Sequence, residues 1–190
     1  MRKIFTKERL CAFADAILAI IMTILVLELP KPDALTWENI WDLKTSFIAF
    51  AVSFFSLAVL WADWHREWHS VKAISDKTVW SMMIVLFFMA FMPYITGLLA
   101  SELKNSVGQI LYGADLLLVS LFNSLVYRSL AAIEENKEIR ETLIARANLL
   151  FINTAIMLVC VILSMTVLSY CSIIGIMVVS VLFVLPIFKR

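Results

Sequence analysis

Three groups of residues in this chain have types and spacings that could do chemistry. The first is Arg9 and Asp15, which precede an apolar run through Ile17, Ile20, Ile24 and Leu27 that ends at Glu28. Charges this close to hydrocarbon are expensive and take partners. Six residues along an α-helix separate the two by roughly 9 Å of rise and about 120° of rotation, so their partners are expected on neighbouring helices. A second apolar stretch brings Trp61, His65, Arg66 and His69 to a similar depth. Together these residues read as a structural polar clamp in preference to an ion-binding site. The second group, His65-Arg66-Glu67-Trp68-His69, sets two histidines at i, i+4. Its glutamate stands third, not second as in H-E-x-x-H, so neither a zinc protease nor a metal site is assigned. The third group is Asp115 and Asn123, polar residues inside a later apolar stretch. Such residues face other helices, and interhelical hydrogen bonding is expected ahead of a proton or ion path. No Gly-rich phosphate loop, nucleophile elbow or convergent carboxylate pair is visible, so neither an enzymatic activity nor a cofactor is expected.

The elements that must position these residues follow from composition. Of 190 residues, 62% are hydrophobic and 16% charged, whereas soluble domains carry about 25% charge. The mean hydropathy is +0.92. A water-soluble fold is excluded, and the lipid bilayer is the expected solvent. A crossing needs roughly 20 apolar residues. The apolar runs predict an all-α, polytopic membrane protein with spans near residues 8–29, 46–69, 78–100, 107–133, 146–169 and 172–188, forming one six-helix domain over residues 1–190. Pro30 and Pro32 end the first span; Thr36-Trp37-Glu38-Asn39 reads as the start of a short interfacial helix, with Trp37 and Trp41 suited to headgroups. Residues 101–106 and 169–172 leave room only for tight reversals. The scarcity of glycine, 4 in the chain, predicts fairly straight helices, with Pro93 interrupting the third alone. Cys11, Cys160 and Cys171 lie in or beside apolar segments and read as packing residues. The basic start followed by an apolar run from Leu10 to Leu27, without a small-residue cleavage site, reads as a retained first helix.

Orientation follows from Lys and Arg, which cytoplasmic loops retain during insertion. Arg2, Lys3, Lys7, Arg9, Arg66, Lys72, Lys77, Arg128, Lys137, Arg140, Arg146, Lys189 and Arg190 fall on one side, leaving Lys31, Lys44 and Lys104 on the other. Both termini are therefore expected in the cytoplasm, with the cell membrane as location. Glu134, Glu135, Glu138 and Glu141 interleave with basic residues on what reads as a solvated, salt-bridged helical extension between the fourth and fifth spans. A net charge of +1 gives no basic face for nucleic acid, and none is expected as a partner.

Ile20, Ile24 and Leu27 follow i, i+4, i+7 and share one stripe, with Thr23 at its edge. Taken alone, that pattern means helix packing. The stretch from Arg9 through Phe13, Ala14 and Asp15 to Thr23 and Glu28, however, closely resembles the R-x-x-x-F-S-D signature and following T-L-L-V-L-E run of the transmembrane protein 175 family of potassium channels. The resemblance extends to Trp61, His65 and Arg66, to Pro93-Tyr94-Ile95-Thr96 and to Tyr112-Gly113. It implies a homotetramer, as in the family's bacterial single-unit members, with the first helices around the pore. By the same resemblance Ile20, Ile24 and Leu27 would form the apolar constriction and Ile20 its tightest ring. Thr23 would supply a hydroxyl layer for selectivity, and Arg9, Phe13, Asp15, Trp61, His65 and Arg66 the structural polar cluster. Ala14 stands where the family's motif has serine, which removes a hydroxyl from that cluster. The T-V-G-Y-G filter of other potassium channels is absent.

The resulting expectation is passive flow of K⁺, with modest preference over Na⁺, through a hydrophobic constriction. Leu18 is read as lipid-facing. Two other readings stay open at this point: a proton-coupled secondary transporter, which would need inverted repeats and broken helices, and a non-conducting membrane scaffold.

Overall fold

The computed structural model describes residues 5–101 and 106–166. Among them the chain is entirely helical: α1 (Lys7–Ile24) continues into a 3-10 turn (Leu25–Glu28), followed by α2 (Trp37–Asp42), α3 (Lys44–His69), α4 (Asp76–Met89), α5 (Met92–Ser101), α6 (Ser106–Ala131) and α7 (Lys137–Thr166). Five stretches in these residues are long and apolar enough to cross a bilayer: Lys7–Glu28, Lys44–His69, Asp76–Ser101, Ser106–Ala131 and Lys137–Ile162. The sixth expected span at 172–188, the reversal at 169–172 and Cys171 lie outside the described residues, as do positions 102–105 of the expected turn.

Local chemistry sets the helix starts. Thr6 caps α1 by accepting from the Arg9 N–H at 3.4 Å, and Thr36 caps α2 by accepting from Asn39 N–H at 3.3 Å, where the interfacial helix was expected. On α2, Trp37 is 87% exposed and Trp41 69% exposed, as side chains bound for headgroups should be. Ser75 and Thr78 form a reciprocal capping box on α4. Helix α7 begins at Lys137 and so takes in the helical extension expected ahead of the fifth span, because Asn136 Oδ1 accepts from the N–H groups of Glu138 and Ile139 at 2.9 and 3.3 Å. The cap, not the start of the apolar run, decides where the helix begins.

The third span is two helices. The regular helix is interrupted by a turn at Ala90 and Phe91, where the Phe91 N–H bonds the Phe88 carbonyl at 2.9 Å, since Pro93 offers no N–H and its ring would clash with the carbonyl of Met89. The interruption falls where it is expected, beside Pro93. Packing is densest between α6 and α7 and between α4 and α6, while α3 lies along α5. Helix α1 rests more lightly on α3, α4 and α5, through the buried stripe Leu10, Ala14, Leu18, Ile21 and Leu25. Leu18, only 2% exposed, is thus a core residue and does not face lipid. Lys7 ties the ends together: its Nζ donates to the carbonyls of Val71 at 2.7 Å and Trp68 at 3.3 Å, a cation at the carbonyl-rich end of α3.

Candidate functional site

The face of α1 opposite its buried stripe carries the stripe residues. Phe13, Ile20, Ile24 and Leu27 are all exposed, Ile20 at 57% and Leu27 at 77%. Arg9, Phe13, Ala16, Ile20, Thr23 and Leu27 recur at alternating steps of four and three and are uncovered throughout, the spacing of a helix seam. The 3-10 turn refines this face. At three residues per turn, positions i and i+3 eclipse, so Leu27 stands over Ile24 about 6 Å further along the axis. Thr23 donates its hydroxyl proton to the Ile20 carbonyl at 2.8 Å. With its proton committed to backbone, its oxygen offers only lone pairs outward, as a cation ligand would require.

Beside this face lie the polar anchors. Trp61 Nε1 donates to Asp15 Oδ1 at 3.0 Å, and the Trp61 ring stacks on His65 with centroids 5.4 Å apart. An open pocket of about 180 Å³ adjoins them, lined by Lys7, Cys11, Asp15, His65 and His69 among others. Phe13 is not in this group: two residues from Asp15 it points about 200° away, onto the exposed face. Among the described residues, no hydrogen bond or ion pair joins the Arg9 guanidinium to Asp15 or α3. Nor do three His, Cys, Asp or Glu side chains there come together as metal ligands.

Arg66 serves a different cluster, which sequence reasoning missed. Its Nη2 lies 2.7 Å from Asp63 Oδ1 and its Nε 2.9 Å from Glu67 Oε1. Arg146 of α7 reaches the same carboxylates at 3.4 and 3.0 Å, and Tyr127 of α6 donates to Asp63 Oδ2 at 2.7 Å. Asp63 is completely buried, and two guanidiniums and a phenol surround its carboxyl group, the partners that a buried acidic group needs. Asp63 and Glu67 flank Arg66 at i−3 and i+1, a legible charge pattern; Arg146, eighty residues later, was not.

A second network sits deeper. Ser53 Oγ lies 2.8 Å from both Thr96 Oγ1 and Tyr112 Oη, which links α3, α5 and α6. Trp64 Nε1 donates to Asn123 Oδ1 at 3.0 Å, the interhelical bond expected of Asn123. Asp115 differs: its buried Oδ2 has no hydrogen-bond partner among the described residues.

Residues 9–93 match the profile of the endosomal/lysosomal potassium channel TMEM175 family. A potassium channel of Chryseobacterium sp. (strain P1-3) is 30% identical over 141 residues, covering 73% of this chain and 72% of that protein. The chain belongs to the TMEM175 family. A potassium channel of Streptomyces collinus is 26% identical over 64% of this chain and 61% of its own length. The zebrafish (Danio rerio) endosomal/lysosomal proton channel TMEM175 is also 26% identical, but the match spans only 24% of that longer protein. The crystal structure of a lysosomal potassium-selective channel TMEM175 homolog from Chamaesiphon minutus superposes with a TM-score of 0.82 at 25% identity, covering 94% of this chain and 96% of that one. Fold and membership thus agree: this is a multi-pass membrane protein of an ion-channel family, and all of α1 from Arg9 onward lies within the stretch that the TMEM175 profile matches.

Proposed function

We propose that this TMEM175 chain forms a K⁺-permeable channel as a homotetramer, with α1 of each subunit facing a central path. The observation that carries this reading is the uncovered seam of α1, in which exposed Ile20, Ile24 and Leu27 alternate with Thr23 on a helix otherwise anchored by its opposite face. A long apolar face can meet lipid without penalty. A seam with steps of four and three that includes a threonine and an arginine fits a helix-lined axis better.

Conduction then proceeds past rings of branched apolar side chains. These supply no ligands for a dehydrated ion, so current depends on whether the rings admit water. The Thr23 oxygens replace part of the hydration shell. One hydroxyl layer is a weaker substitute than a stack of carbonyls, which makes a modest preference for K⁺ over Na⁺ the consistent outcome. Asp15, Trp61 and His65 hold the foot of α1 against α3. The Lys and Arg distribution supports cytoplasmic termini, and the plasma membrane is the location that goes with this reading.

The test is recording from purified protein in a planar bilayer under mixed K⁺ and Na⁺ gradients. Unitary, non-saturating currents with reversal shifted toward the K⁺ potential are expected. Saturable flux coupled to protons would favour a transporter, a reading to which the break between α4 and α5 lends one feature. Silence at verified tetramer density would leave the scaffold.

A further inference from the structure

Helices α6 and α7 pack closely, yet beside the end of α6 they leave an open groove of about 330 Å³, lined by Arg128, Ala131, Ala132, Ile144, Ala147 and Asn148. The alanine methyls leave unfilled a seam that longer side chains would close. Arg128 and Asn148 take no part in either polar network. Both are exposed, and among the described residues no ion pair engages Arg128. Arg140 shares a face of α7 with Ile144 and Asn148, at i, i+4 and i+8, and is likewise exposed and outside any described ion pair. The acidic residues before and within the start of α7, Glu134, Glu135, Glu138 and Glu141, do not line the groove, and Glu141 lies 3.9 Å from Lys137. One turn further into the membrane, exposed Leu125 of α6 and Phe151 of α7 continue the two faces as apolar surface. An apolar track that ends in a carboxamide and two guanidiniums without acidic partners has the profile of a phospholipid.

We infer that this groove holds an anionic phospholipid of the leaflet on the Lys- and Arg-rich side, the cytoplasmic one in the orientation proposed above. The inference rests on that orientation and not on α1 lining the pore. The lipid phosphate meets the Arg128 guanidinium, whose fork can donate two parallel N–H bonds, with the Asn148 amide as a further donor. Arg140 attracts the net negative charge of the head group, and an acyl chain runs past Leu125 and Phe151. A zwitterionic lipid brings the same phosphate and chains but also a cation of its own, which the two arginines repel. Head-group charge is therefore the discriminating feature. Bound lipid bridges α6 and α7 and stabilises the folded protein by mass action.

Native mass spectrometry of the purified full chain, with phosphatidylglycerol and phosphatidylcholine of identical acyl chains in competition, tests this. Wild type should retain phosphatidylglycerol in preference by about tenfold, as two partly screened cations allow, and should melt at a higher temperature with it than with phosphatidylcholine. Arg128→Gln should lower that preference several-fold while melting as wild type does without added lipid. Ala132→Phe, which fills the groove and leaves its charge intact, should lower phosphatidylglycerol retention as well. Lys72→Gln, which removes an exposed cation outside the groove, should keep the wild-type preference. Equal retention of the two lipids by wild type, or a preference in Arg128→Gln equal to that of Lys72→Gln, would overturn the inference. Inorganic phosphate raising the melting temperature as far as phosphatidylglycerol does would overturn it in favour of a free anion. A smaller oligomer for Ala132→Phe on gel filtration would overturn it in favour of a second copy of the chain in the groove.

Discussion

At the scale of single residues, two side chains show how environment assigns a task. Thr23 spends its proton on the Ile20 carbonyl, so its outward oxygen can only accept. Replacing it by valine keeps the shape and deletes that oxygen from every subunit. Reversal potentials in mixed K⁺ and Na⁺ should then move toward the non-selective value, with Thr23→Ser restoring much of the preference; unchanged potentials in Thr23→Val would remove the hydroxyl from selectivity. Arg146 is the opposite case, a half-buried cation whose work is structural. It lies 3.0 Å from Glu67 and 3.4 Å from Asp63, and taking it away strands buried charge. Arg146→Met should destabilise the protein by about 3–5 kcal/mol. By contrast, the exposed Lys137–Glu141 pair at 3.9 Å should be dispensable, because solvent and side-chain entropy cancel such pairs. Thermal melts in detergent compare the two directly, and equal melting of Arg146→Met and Lys137→Ala would show the buried cluster to be energetically idle.

At the scale of elements, helix ends and interruptions matter more than helix interiors. The 3-10 turn after Ile24 lines Leu27 up with Ile24, a stacking that a continuous α-helix would offset. The break before Pro93 lets α5 start afresh at Met92, and Thr96, bonded to the Met92 carbonyl at 2.7 Å, then meets Ser53 of α3 and Tyr112 of α6. This hydroxyl network ties α3, α5 and α6 together at one point. Tyr112→Phe removes one buried hydroxyl while preserving the ring, and should cost about 1 kcal/mol. Combining it with Ser53→Ala should cost less than the sum of the two, since the second change no longer strands a partner. Strict additivity in unfolding measurements would mean that the 2.8 Å contacts are not coupled.

At the scale of the whole molecule, each long helix among the described residues exposes apolar side chains, as bilayer solvent demands, while the ties at Ser53, Asp63 and Asn123 lie inside. Within that arrangement α1 is the lightly held element, seated by one stripe and pinned at its foot by the Trp61–Asp15 bond. Such a helix suits an axis shared with other copies. Ile20→Asn, which wets a ring and supplies amide oxygens, should raise unitary current. Ile20→Phe should lower it, at equal tetramer content by gel filtration. The control position must be exposed on another helix, such as Val159 of α7, because Leu18 is core and its substitution would disturb folding. Equal currents from wild type and both Ile20 variants would detach α1 from the gate.

Composition and periodicity by themselves determined the solvent, the helical class and the positions of most long helices, because a bilayer punishes any unpaired backbone and any long polar run. The interfacial helix at Trp37 and the Asn123 bond were legible for the same reason: a cap residue and a polar group in an apolar span have few places to go. What only the tertiary structure decided is which partner each charged group takes. Depth along the span groups Arg66 with Asp15, yet it turns to Asp63 and Glu67, where Arg146 and Tyr127 converge from helices far away in sequence. Depth is set by position along a helix, and sequence records that. Azimuth depends on how helices pack against one another, and the choice between lipid-facing and buried for Leu18, or between one carboxylate and another for Arg66, is made there.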